Sequence, residues 1–169
     1  MNVRIITTGG TIAKTYNEVD GSLRPQSPVI EGILGQLRLP DLEVNYQHLL
    51  AKDSLDLNES DRTMILLAVK SAVEECDAAI LIHGTDTLET TGDMLFREIG
   101  TPKVPVILTG AMRPYEFRDS DAMQNVIEAL LACRLVQPGI HAVMHNRVLR
   151  FPGVVKDRQS MHFVKEEVG

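Results

Sequence analysis

The sequence lacks several features that would assign it to common functional classes. It has no uninterrupted apolar run of the roughly 18 residues that a membrane helix needs, so no membrane association is expected. It has no excess of basic charge: 17 Lys and Arg against 23 Asp and Glu leave a net charge of -6, which speaks against a nucleic-acid partner. The two cysteines, Cys76 and Cys133, form no CxxC pair, so a structural zinc site has no support. Two buried thiols in a reducing compartment is the simpler reading. None of the five histidines (48, 83, 141, 145 and 162) belongs to an HExxH motif, and Asp53-x-x-Asp56-x-Asn58 lacks the glycine and spacing of a calcium loop. No metal is therefore expected. Neither GxxxxGK[ST] nor GxGxxG occurs, which leaves phosphate binding at a helix N-terminus as only a weak option. Repeats, low-complexity tracts and linkers are also missing, and the N-terminus reads as a first strand rather than a signal peptide.

What remains is a chain of 169 residues, enough for one globular domain spanning 1–169 with its own core. Short apolar, β-branched runs predict strands at 3–8, 42–50, 78–82, 104–108 and 140–144. Helical spacing predicts helices at 29–39, 60–76, 88–99 and 119–135. In the second, Ser60 is the candidate cap, with Met64, Leu67, Ala68 and Val73 along one face. In the last, Val126, Ile127, Leu130 and Leu131 are expected to point inward. Residues 9–28 read as a long segment without secondary structure, the kind of loop that serves as a lid. Residues 160–169 read as a strand or a tail. The alternation of strand and helix predicts an α/β fold, a parallel sheet with helices on both faces.

In such sheets ligands bind beyond the carboxyl ends of the strands. The segments there are Thr7-Thr8-Gly9-Gly10-Thr11, Lys52-Asp53-Ser54-Leu55-Asp56, His83-Gly84-Thr85-Asp86-Thr87 and Thr109-Gly110-Ala111-Met112-Arg113-Pro114, with Lys156 further on. Together they make a hydroxyl-rich pocket. One chemistry that suits it is hydrolysis through an activated threonine. A threonine hydroxyl is a poor nucleophile until a partner takes its proton, and Lys156, Asp86 and a tyrosine are available. Gly9, Gly10 and Gly84 would let backbone N–H groups approach a developing oxyanion. Tyr16 is the only tyrosine in the candidate lid. His83, at a strand end before a glycine, reads as a packed, hydrogen-bonded histidine.

Three of these segments, Thr8-Gly9-Gly10-Thr11-Ile12-Ala13, His83-Gly84-Thr85-Asp86-Thr87 and Gly110-Ala111-Met112-Arg113-Pro114, resemble the signature segments of the bacterial-type L-asparaginase (threonine amidohydrolase) family, in the family's order and near its spacing. The resemblance covers nearly the whole chain and corresponds to the family's N-terminal domain, as in short-chain members without the C-terminal domain. It implies that Thr11 is the nucleophile and Tyr16 the lid tyrosine that activates it. It makes Thr85, Asp86 and Lys156 the Thr–Lys–Asp set, with Asp86 also receiving the substrate's α-amino group. Ser54, with Leu55, Gly10 and Gly84, would hold the substrate, and Ala111 would line its amide end.

The implied reaction is hydrolysis of L-asparagine to L-aspartate and ammonia through an acyl-enzyme. It needs no cofactor, and the implied protein is a cytoplasmic homo-oligomer acting on a small-molecule substrate. Val155 stands where the family often has a threonine, and Leu55 where many relatives have a polar residue. These differences imply weaker substrate binding. Two other readings remain: an amino-acid-binding module without turnover, and the amide-hydrolysing part of a tRNA-dependent amidotransferase.

Overall fold

The computed structural model describes residues 1–25 and 29–166. A six-stranded sheet runs in the order β4 (Glu43–Lys52), β1 (Asn2–Gly9), β5 (Ala78–Ile82), β6 (Pro105–Thr109), β7 (Gly139–Met144) and β8 (Arg147–Arg150). The first five are parallel, and β8 returns antiparallel beside β7 through a tight turn in which His145 and Asn146 have φ of 53° and 60°. Positive φ at both central residues is what a type I′ hairpin turn requires. The fold is α/β, as the alternating pattern predicts.

The strand period of two sorts the side chains onto the two faces. Ile6, Ala79, Leu81, Val106, Leu108, Ile140 and Ala142 meet α2 (Glu59–Glu75) and α3 (Leu88–Ile99). Val3, Ile5, Ala78, Ile80, Ile82, Ile107 and Val143 meet α1 (Val29–Leu34) and α4 (Ala122–Leu135). All five residues of β5 and of β6 are buried, as expected for strands covered on both faces.

Several details differ from the sequence pattern. The helix expected at 60–76 starts one residue earlier and is capped by Asn58, not Ser60. The Asn58 side chain accepts from Asp61 N while Asp61 accepts from Asn58 N, a reciprocal box that Ser60 has no partner to form. Its buried face is Ile65, Ala68, Val69, Ala72 and Val73; Met64 and Leu67 are exposed. In α4 Val126 and Leu130 are buried, whereas Ile127 and Leu131 are exposed. Both helices carry more apolar residues than their buried stripes accommodate. The helix expected over 29–39 stops at Leu34, because two glycines, Gly32 and Gly35, weaken its continuation.

The segment expected to be irregular is structured over much of its length. A 3₁₀ turn at Thr11–Ala13 leads into a two-stranded ribbon of β2 (Lys14–Tyr16) and β3 (Leu23–Pro25). The end of that segment, 26–28, lies outside the described residues, as do 167–169 of the final stretch. Within the latter, β10 (His162–Lys165) pairs antiparallel with β9 (Val154–Asp157). Cys76 and Cys133 are free and buried, and burial pushes the Cys133 thiol up to about 12. Among the described residues no helix is long and apolar enough to cross a membrane.

Candidate active site

The segments that follow β1, β4, β5 and β6 meet at one edge of the sheet because their glycines leave no room between them. A Cβ on Gly10 would lie 2.6 Å from Gly84 Cα and N, and one on Gly84 would lie 2.6 Å from Ser54 Cβ and Oγ. A Cβ on Gly110 would lie 2.2 Å from His83 O. Gly10 N donates to Lys52 O at 2.9 Å, tying the end of β1 to that of β4. Gly10, with φ of 77°, is in the left-handed region that favours glycine. Thr11 follows it directly as the first residue of the 3₁₀ turn, half-buried.

Thr85 and Asp86 follow β5. Lys156 approaches them from β9, outside the main sheet. Its Nζ donates to Thr85 Oγ1 at 2.9 Å and to Asp86 Oδ1 at 2.8 Å. Its side chain is only 4% exposed, so the ammonium has traded water for these two partners. The lysine strand is held in place by its surroundings. Lys156 N donates to Glu89 Oε2 at 2.5 Å, and Gly153 N donates to Asp93 Oδ1 at 3.1 Å, both acceptors on α3. Phe151, which is buried, packs against Gly92 so closely that a Cβ there would overlap its ring.

The remaining candidates occupy the same edge. Ser54 is buried in a 3₁₀ turn (Ser54–Asp56), and its Oγ has no hydrogen-bond partner among the described residues. A buried hydroxyl without a partner is costly unless something else satisfies it. Leu55 beside it is exposed, whereas Ala111 is buried in the segment after β6. Tyr16 is 55% exposed at the end of β2, so its ring is not packed into the body of the protein. The ribbon is tied down nearby: Lys14 Nζ donates to Asp53 Oδ2 at 2.7 Å, and Tyr16 N donates to Glu116 Oε2 at 3.0 Å. The Lys14 bond holds the Asp53 carboxyl below the usual carboxylate range.

His83 is fully buried. Its Nδ1 lies 2.7 Å from Gly84 O and its Nε2 2.9 Å from Thr91 Oγ1. Burial pushes it down to about 4, so the ring is neutral at pH 7 and acts as a packed, hydrogen-bonded spacer under the Gly84 segment. The structure thus gathers Gly10, Thr11, Ser54, Gly84, Thr85, Asp86, Ala111 and Lys156 on segments that share one edge. It leaves Leu55 and Tyr16 at the surface.

Sequence reasoning missed Glu89 and Asp93, which hold the lysine strand. It also missed Arg158, whose Nη1 stands 3.6 Å from Asp86 Oδ1. Arg158 lies two residues beyond Lys156, the strand period that puts side chains on one side, so that signal was present. Glu89 gave no signal beyond being an acidic residue in the first turn of a helix.

Comparison with known proteins places the chain in a family. The family model described as asparaginase, N-terminal, matches residues 2–162, and the chain belongs to that family. The chain is 32% identical over 149 residues to an L-asparaginase of Thermococcus kodakarensis, a match covering 88% of this chain and 45% of that protein. The solved structure of the thermostable L-asparaginase from that organism aligns with a TM-score of 0.84 over 92% of this chain and 48% of the other. A glutamyl-tRNA(Gln) amidotransferase component from Methanococcus vannielii is 29% identical over 149 residues, covering 87% of this chain and 35% of that protein. L-asparaginase I from Vibrio cholerae shares the fold, with a TM-score of 0.83 at 20% identity over 99% of this chain and 52% of that one. The chain therefore spans about a third to a half of the length of these relatives.

Proposed function

We propose that the chain is an amidohydrolase that converts L-asparagine to L-aspartate and ammonia. The observation that carries this reading is the buried Lys156 ammonium, bonded at once to Thr85 Oγ1 and Asp86 Oδ1. In the proposed reaction Thr11 Oγ attacks the side-chain amide carbon as Tyr16 takes its proton. The backbone N–H groups of the glycine segments receive the oxyanion. Tyr16 returns that proton to the departing amide nitrogen, which leaves as ammonia; a water held by Thr85 and Lys156 then adds to the acyl carbon, its proton going back to Thr11 Oγ as aspartate is released. Ser54 Oγ, buried and without a partner among the described residues, is the proposed donor to the α-carboxylate. Asp86 is the proposed acceptor for the α-ammonium, with Gly10, Gly84 and Leu55 around the substrate and Ala111 at its amide end. On this reading residues 1–169 carry the whole set of reacting groups, no cofactor takes part, and the protein works as a cytoplasmic homo-oligomer.

A second reading has one specific support: the 29% identity to an amidotransferase component. There the same amide chemistry would supply ammonia to a partner. The test is ammonia release from L-asparagine by the purified chain, with Thr11→Ala as control and with RNA and partner proteins added in separate arms. Turnover by the chain alone that falls at least a hundredfold in Thr11→Ala supports the first reading. Release only with the added components supports the second. Binding of asparagine without release in any arm would make the chain a binding module.

A further inference from the structure

Beyond the reacting groups, one network joins two segments that the active edge depends on. Asp121, just before α4, is the centre of it. Its carboxylate accepts from Met112 N and Arg113 N at 3.0 Å, from Asn125 Nδ2 at 2.8 Å and from His145 Nε2 at 2.7 Å. Burial acts to raise this carboxyl, but the hydrogen bonds outweigh burial and leave it below the usual range. Asn125 also donates to Gly110 O and accepts from His145 N. The segment 110–113 is thus clamped from below by two side chains, Asp121 and Asn125. On the far side of the clamp, His145 Nδ1 lies 3.1 Å from His162 Nδ1, with the two rings nearly perpendicular. His162 belongs to β10, opposite Asp157, and its neighbour Phe163 lies opposite Lys156.

The protons in this chain of contacts follow from the donor inventory. An ionised Asp121 only accepts, so His145 Nε2 carries a hydrogen. A neutral His145 then offers a lone pair at Nδ1, and His162 must donate from its own Nδ1. Adding one proton to the pair preserves the bond, because it enters at His162 Nε2 and leaves a single hydrogen between the two Nδ1 atoms. Adding a second sets two N–H groups against each other at 3.1 Å, beside one another's positive charge.

We propose that His145 and His162 are positioning residues: their hydrogen bond locks the hairpin carrying Lys156 to the segment 110–113, and double protonation opens the lock. The charged groups around the pair do not remove this effect. Asp121 faces His145 from the start of α4, and Asp157 lies across from His162 on β9. Glu128 of α4 is occupied by Asn146 N. Arg147 of β8 donates to Phe163 O, and Lys165 of β10 donates to the carbonyls of Arg150 and Pro152. None of these groups can stand between two Nδ1 atoms 3.1 Å apart. The direct N–H to N–H contact is what opposes the second proton.

This inference rests on the reading of Lys156 and the 110–113 segment as parts of the active site. The test compares the wild-type chain with His162→Phe, which keeps the ring shape but has no donor, and His162→Gln, which keeps an N–H donor. Ammonia release from L-asparagine is followed across pH, and imidazole ¹⁵N spectra of the same proteins are recorded. At neutral pH His162→Phe is expected to lose about tenfold in kcat with KM within about twofold, the size of effect that a small misplacement produces. His162→Gln is expected to recover most of that loss. The acid limb of the wild-type kcat profile should be displaced in His162→Phe. Equal kcat and an identical profile in His162→Phe would overturn the proposal, and so would equal loss in both variants. If the wild-type chain releases no ammonia, the functional reading fails, and the spectra then decide the lock alone. Hydrogens on His145 Nε2 and His162 Nδ1, with the Lys156 and Met112 amides shifting together as the rings titrate, would support it. The opposite tautomers, or a Lys156 amide that stays still, would overturn it.

Discussion

Gly10 and Gly84 touch backbone to backbone: a methyl group on the first would stand 2.6 Å from both Cα and N of the second. The ends of β1 and β5 can approach in this way only because Gly10 carries no side chain, while the bare Cα of Gly84 makes room for Ser54. Gly84→Ala would push its methyl group against Ser54, a small side chain on a short turn, and should cost about 1–3 kcal/mol. Gly10→Ala should cost more, because its obstruction is backbone and its φ of 77° is strained for alanine. Urea titration should show a lower midpoint in both, with the slope unchanged.

Removing the Lys156 ammonium should separate catalysis from stability. Lys156→Met places a side chain of similar length in the buried slot and leaves Asp86, one-third exposed, in contact with water. Ammonia release should fall at least a hundredfold. Removing one member of an ion pair is strongly destabilising when the other charge stays buried, but Asp86 keeps its water, so the unfolding temperature should move by only a few degrees. A collapse in stability would mark Lys156 as a structural ion-pair partner instead.

Tyr16 gives the converse case. Its ring is more than half exposed, and the hydrogen bond that fixes its residue comes from the backbone N–H. Tyr16→Phe should therefore leave stability within about 0.5 kcal/mol, as for other surface changes. If the phenol takes the threonine proton, turnover should drop by roughly 10²-fold or more. Calorimetry and an ammonia assay on one preparation would measure both.

His83 gives stability a dependence on pH. Its folded value of about 4 lies below that of an unfolded histidine at about 6.5. Above about 6.5 the ring is neutral in both states and contributes no slope. Between about 6.5 and 4 the unfolded chain binds the proton that the folded chain refuses, so stability falls as pH falls, by about 3 kcal/mol over the window. Chemical denaturation at about pH 7 and about pH 4.5 should show the loss, and His83→Gln should flatten it.

Strands β1, β5 and β6 are legible in the sequence because each is a short run rich in β-branched residues that gives way to glycine or a hydroxyl. Burial on both faces leaves such runs no polar alternation that would disguise them. The helices are legible in place but not in orientation. Met64, Leu67, Ile127 and Leu131 fit an apolar stripe as well as their buried neighbours do, and only the sheet's position decides between them. The ribbon of residues 14–25 escapes detection because each of its strands has three residues, too few for a period to emerge. At the active edge the glycines and hydroxyls announce themselves locally. Lys156 is less conspicuous: it stands 71 residues beyond Thr85, on a strand outside the main sheet, so the sequence offers it only as an available amine and the family resemblance supplies its role. The supports under it, Glu89, Asp93 and the Asp121–His145–His162 chain, depend on contacts 17 to 67 residues apart, which no local pattern encodes.

The placement of β1 also bears on how the protein is made. β1 leaves the ribosome before every other strand of its sheet, yet it sits inside that sheet, bonded to residues 43–48 and Lys52 on one side and 78–82 on the other. Until those partners are synthesised, its row of isoleucines and threonines has no edge to pair with. One flank can form once β4 has emerged, the other only after β5. Closing such distant pairs early is slow. Of the proposed reacting groups the lysine emerges last, so a nascent chain carries its threonines and glycines long before it has a working edge. Arrest before residue 156 leaves a chain without the one ammonium its chemistry is proposed to need.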